Sequence, residues 1–160
     1  MTQLLRTIGL IFVASCSWLP ADSPPQKPAA VDADLAALVH TWLIENHALT
    51  GNTNLSDADA ARLHGRKVEI TATGFKTPWQ GSCDDISRDK HDRGAAEISM
   101  KLDLTGEAWA TVSRFGIGPR ATEYALSCAD RGHRTPPLTI YVTGDRALTC
   151  FGGACYLLTR

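Results

Sequence analysis

Apolar and polar positions lay out most of the chain. Over residues 31–47 large apolar side chains recur at 31, 35, 38, 39, 42 and 43, among others. That is the 3.6-residue period of an amphipathic helix. Asp32 and Asp34 in its first turn suit the positive end of a helix dipole. A Gly/Asn turn follows over 49–54. Ser56 then stands as the N-cap of a second short helix, with Asp59 where a capping box carries Glu and Gly65 at the C′ position. Residues 67–73 alternate polar and apolar, as a half-buried strand does. Residues 84–94 are charged without a period and read as a surface loop. Residues 98–104 put Ile, Met, Leu and Leu at even positions, a strand pattern. Residues 107–115 sit between Thr105 and Gly116, a helix start and stop, and predict helix despite Trp109, Thr111 and Val112. Residues 121–127, 138–142, 147–150 and 155–159 read as strands between Gly, Pro and Asp turns, the last three as a meander. The expected fold class is α+β: an N-terminal helical segment, then a mostly antiparallel β-sheet or small partly open barrel with two disulfides, in a single domain over 31–160.

Composition narrows the classes of function. The 160 residues carry 16 Lys+Arg against 17 Asp+Glu, a net charge of −1. No clustered positive face stands out, so nucleic acid is not an expected partner. The first residues change the picture more. Arg6 precedes a short apolar run over 8–14, the charged and hydrophobic regions of a secretory signal. At this length the run is far below the ~20 residues that cross a bilayer. It ends in Val13-Ala14-Ser15-Cys16, which resembles the lipobox of bacterial lipoproteins, with Val13 in place of the usual Leu. The resemblance implies cleavage of a signal peptide over 1–15 and lipidation of Cys16, with palmitate among the acyl groups. Ser17 does not resemble an inner-membrane retention signal, which points to an outer-membrane lipoprotein facing the periplasm. A soluble periplasmic or secreted product, cut near Pro20-Ala21-Asp22-Ser23, remains the alternative. Residues 20–30 hold four prolines and read as an extended tether that lifts the domain from its membrane anchor.

Four cysteines remain beyond Cys16: Cys83, Cys128, Cys150 and Cys155. An even number in an exported domain implies two disulfides. Cys150 and Cys155 flank Phe151-Gly152-Gly153-Ala154, and a hairpin there sets them opposite each other. Cys83 and Cys128 then pair by elimination. Their loop of ~46 residues would contribute ~3–4 kcal/mol through loop entropy. A zinc site built from these cysteines, alone or with His133, lacks a second close pair, so neither metal nor cofactor is expected.

The candidate chemistry is sparse. Gly81-Ser82-Cys83 matches part of the Cys-Gly-Ser-Cys-Trp run of papain-like enzymes. A small envelope hydrolase would use Cys83 or Ser82 with His91 or His133, although the Asp-Cys-Ser-Gly signature of small envelope cysteine peptidases and the Gly-x-Ser-x-Gly elbow are absent. Tyr124-Ala-Leu-Ser-Cys128 resembles the Tyr-x-Cys strand of membrane-bound c-type lysozyme inhibitors, with a spacing longer by two and without their Ser-Gly-x-x-Tyr loop. Trp79, in the loop Thr77-Pro78-Trp79-Gln80, and Phe151, at the clamped hairpin tip, are the candidate binding residues, because aromatic side chains on rigid loops anchor interfaces. The leading expectation is a binding or interaction protein of the cell envelope, an inhibitor or immunity-type partner of an envelope enzyme. A lipocalin-like carrier of a small apolar ligand is a further alternative.

Overall fold

A computed structural model of the chain describes residues 33–129 and 136–160. The signal segment, Cys16, the proline-rich tether and His133 lie outside the described residues. The elements run α1 (Ala33–Leu38), β1 (Thr41–Leu49), α2 (Asp57–Ala61), β2 (Lys67–Ile70), β3 (Phe75–Thr77), β4 (Gly81–Cys83), β5 (Ile86–Gly94), α3 (Ala95–Lys101), α4 (Gly106–Arg114), β6 (Arg120–Cys128), β7 (Leu138–Thr143), β8 (Arg146–Phe151) and β9 (Ala154–Thr159). All the strands join one sheet of order β4-β3-β2-β1-β9-β8-β7-β6-β5. Every neighbouring pair is antiparallel. Its two outermost strands, β4 and β5, are consecutive in the chain and joined by Asp84 and Asp85 alone. The Cys83–Cys128 disulfide ties β4 to β6 beside that link, with Cα atoms 5.9 Å apart. The sheet therefore curls into a nearly closed barrel.

Successive strand residues point to opposite faces, and the two faces bury different material. Trp42, Val68, Leu126, Ile140, Tyr156 and Leu158 belong to the cluster that fills the barrel. Tyr141, Leu148 and Leu157 point outward and pack with Ile98, Leu104 and Val112 from the segment that carries α3 and α4. Each such side chain, fully buried, contributes ~1.5–3 kcal/mol of hydrophobic stabilisation. Ser56 caps α2 as expected, its hydroxyl accepting from the Asp59 N–H. The C-cap of α2 is Arg62, so Gly65, with φ +76°, lies beyond the expected C′ position.

Three expected elements are different in the structure. The helix expected over 31–47 stops at Leu38, and Thr41–Leu49 is a strand. Trp42 and Ile44 are buried by alternation, a bulge at Ile44/Asn46 follows, and His47 is then buried. Pairing with β2 on one side and β9 on the other outweighs the local helical period. The loop expected over 84–94 is the nine-residue strand β5, with Ser87 to Asp92 all exposed. An edge strand buries little and so shows no hydrophobic period. The strand expected over 98–104 is helix α3 and its exit. Of its even-numbered residues Ile98 and Leu104 are buried, whereas Met100 is 77% exposed, so the alternation there did not reflect a sheet face.

Candidate functional site

The hairpin β8–β9 turns through Gly152 and Gly153, both with positive φ, as a two-residue turn of the I′ kind requires. Phe151 pairs with Ala154 and Cys150 with Cys155 in this ladder. The expected four-residue loop is thus a two-residue turn with one more pair of ladder residues. Cys150 and Cys155 are disulfide-bonded across it. Gly153 also sits so close to Thr53 that any side chain there would collide. Its carbonyl accepts from the Thr50 N–H at 3.0 Å and the Thr50 hydroxyl at 3.1 Å. The tip is held by a covalent bond behind it and hydrogen bonds beside it.

Trp79 reaches this hairpin from the other half of the sheet. The Gln80 N–H donates to the Thr77 hydroxyl, closing the turn around Pro78. The indole N–H donates to Gln80 Oε1 at 3.2 Å, and the Gln80 amide donates to the Pro136 carbonyl at 3.1 Å. The indole then stacks on Phe151 at 5.5 Å and 18°, and on Tyr156 at 5.5 Å and 19°. The structure thus brings together the two residues singled out from sequence, and adds Tyr156. Tyr156 is buried, and Phe151 remains 40% exposed. Burial pushes the Tyr156 hydroxyl above its ordinary pKa. Offset aromatic pairs of this spacing contribute ~0.5–1.5 kcal/mol beyond the area they cover.

A polar chain lies next to the stack. The His47 ring is 6.5 Å from Tyr156. Its Nδ1 is 2.9 Å from His64 Nε2, and its Nε2 is 3.0 Å from Asp57 Oδ1. Burial lowers the pKa of His64, the charge of His47 lowers it further, and Asp57 opposes both. The chain links β1 to α2 and the turn after it.

On the outer face, Glu123 of β6 is buried, and sequence reading missed it. Arg93 Nε donates to one of its oxygens at 2.8 Å and Lys101 Nζ to the other at 2.5 Å. Glu97 joins through Arg93 and also accepts from the Gly94 N–H. Burial pulls Glu123 upward, yet the hydrogen bonds from Lys101 and Arg93 prevail and hold its pKa below the ordinary value. Tyr141, its cross-strand neighbour, keeps a buried hydroxyl with no well-formed hydrogen bond. Burial, then the Glu123 charge, pushes that hydroxyl's pKa far up. An open cavity of ~450 Å³ adjoins these side chains. A carboxylate with both oxygens taken by cations is a poor proton acceptor at neutral pH, so the cluster fastens α3 to the sheet rather than supplying a base.

Cys83 and Cys128 are bonded to each other. Cys83 is therefore no thiolate nucleophile, which corrects that candidate. Ser82 pairs with Lys76 in the β3–β4 ladder, and no described hydrogen bond joins it to a histidine. Among the described residues no group of three or more His, Cys, Asp or Glu is placed to hold a metal ion, and no helix is long and apolar enough to cross a membrane. No protein family, curated protein or solved structure matches this chain.

Proposed function

We propose that this chain is a lipid-anchored binding protein of the bacterial cell envelope, tethered through Cys16 and docking an envelope protein by the Phe151 tip. The observation that carries this reading is the stack of Trp79 on Phe151 and Tyr156 at a hairpin locked by Cys150–Cys155. An aromatic side chain already fixed in place loses little freedom on binding, so more of its contact energy appears as affinity. The lipobox-like Val13-Ala14-Ser15-Cys16 and the proline-rich stretch after it support the anchor and tether. Two disulfides fit an oxidising compartment. A lipocalin-like carrier has less support, because side chains such as Trp42, Ile140 and Leu158 fill the barrel interior.

A photo-cross-linking residue at position 151 tests the reading in intact cells, with one at Lys76 as control. The expected result is one dominant envelope-protein adduct from position 151 and none from 76. Adducts that are equal from both positions, or missing from 151, refute the docking face. Cys16→Ser tests the anchor separately. It should move the chain from the membrane fraction to the soluble fraction, and retention in the membrane refutes lipidation.

A further inference from the structure

We propose that the cavity beside α3 binds a neutral N-acetylated sugar, held by the Tyr141 hydroxyl and the Lys101 ammonium. The cavity measures ~450 Å³, within the range of ~300–1,000 Å³ that small-molecule sites span. Tyr141 lines it and is fully buried, and its hydroxyl has no well-formed hydrogen bond among the described residues. A buried hydroxyl without a partner lowers stability, so the position calls for one. What it lacks is an acceptor to receive its proton. The carboxylate oxygens nearby are already engaged. Glu123 accepts from Arg93 Nε and Lys101 Nζ, one at each oxygen. Glu97 accepts from Arg93 Nη1 and from the Gly94 N–H, again one at each oxygen.

Charge narrows the class of ligand. Arg93 and Lys101 stand against Glu97 and Glu123, so the formal charges of the lining cancel. An anion would be repelled by Glu123, and a cation by Arg93 and Lys101. A neutral ligand meets neither cost and leaves the ion pairs that fasten α3 in place. Its carbonyl oxygen supplies the acceptor that Tyr141 lacks. The Lys101 side chain is half exposed, and its ammonium has three N–H, of which Glu123 takes one. The others serve hydroxyls at the mouth of the cavity. Hydroxyls also donate, which suits the second lone pairs of the carboxylate oxygens. Ile98 and Met100 are the apolar part of the lining, and Met100 keeps most of its surface exposed. A methyl group placed there covers apolar surface. An N-acetylated sugar combines one neutral carbonyl, one methyl and several hydroxyls. A peptide backbone brings the carbonyl without the hydroxyls.

The full chain, purified in a detergent without a sugar headgroup, is titrated with N,N′-diacetylchitobiose while the methyl NMR signals of Ile98 and Met100 are followed. Both signals should shift and saturate. Cellobiose, which has the hydroxyls but no acetamido group, should bind about tenfold more weakly. Tyr141→Phe removes the hydroxyl and keeps the ring. It should weaken binding about tenfold and leave the urea midpoint unchanged or higher, because no bond within the fold is lost. A lower midpoint would show that the hydroxyl is bonded inside the fold, and it overturns the proposal. So does an absence of shifts, which means that water alone fills the cavity. Shifts confined to other residues, equal binding of cellobiose, or tighter binding of an N-acetylated dipeptide amide overturn it too.

Discussion

β1 and β5 are both nine-residue strands of one sheet, and they are built in opposite ways. β1 lies between β2 and β9, and it buries Trp42, Ile44, His47 and Ala48. Among the described strands β5 pairs with β6 alone, and it exposes the whole of Ser87 to Asp92. The first holds its place by what its side chains bury, and the second by its ladder with β6 and the ion pairs at its end. A strand's position in the sheet thus sets what substitution does to it, more than its length or β-propensity.

The largest expected effect lies in β1. Trp42 is fully buried, and its indole N–H donates to the Leu38 carbonyl at 3.1 Å. Trp42→Ala should cost ~3–5 kcal/mol, read as a lower urea midpoint. An effect below 1 kcal/mol would mean that β1 is not the centre of the fold. Removing the bridge where the sheet ends meet comes next. Cys83→Ser with Cys128→Ser should cost ~3–4 kcal/mol, against ~2 for the Cys150–Cys155 pair, which closes a much shorter loop. Equal losses would show that loop closure is not what these bridges contribute. Third is the ion cluster that holds the end of β5. Glu123→Gln should cost ~1–2 kcal/mol, less than a fully buried pair would, since Arg93 and Lys101 are partly solvated.

Acidification should act through a histidine bonded to β1. His64, hydrogen-bonded to His47, has a folded-state pKa below the ordinary 6.5. Below about pH 6.5 the unfolded chain takes up a proton that the folded chain resists, so stability is full above that pH and falls on acidification. His64→Gln should flatten this slope in urea midpoints measured from pH 5 to 8. An unchanged slope would remove His64 from the account. The smallest effect belongs to the middle of β5. Arg88→Ala should change stability by less than ~0.5 kcal/mol, read as a urea midpoint. A loss comparable to that of Trp42→Ala would dissolve the contrast between the two strands.

What the sequence revealed follows the same contrast. The meander β7–β8–β9 was readable because its strands alternate between turns, and Cys150 and Cys155 flank a Gly-Gly pair that needs positive φ. Ser56 was readable as a cap because an N-cap is a local hydrogen bond. β1 was not, because the residues that override its helical period are on β2 and β9, distant in the chain. β5 was not, because an exposed edge leaves no apolar trace. At the candidate site, Trp79 and Phe151 were each legible as aromatics on constrained loops. Their contact was not, since it joins residues far apart in sequence. Glu123 gave no signal, because its partners Arg93 and Lys101 come from β5 and α3.

The pairing of β1 with β9 has a consequence for the order of folding. Leu43 meets Thr159, and Leu49 meets Ala154, so the middle of the sheet is a contact between its first and last strands. A chain emerging from its N-terminus can form the β1–β4 run and the β5–β8 run earlier, because their strand partners lie at most 42 residues apart, against 105 or more between β1 and β9. It cannot join them until the stretch Ala154–Thr159 is available. Contacts of such long sequence separation form slowly. Until then β1 and β8 each present an open edge, so the domain stays vulnerable to proteolysis and to pairing with other chains until its final strand is in place.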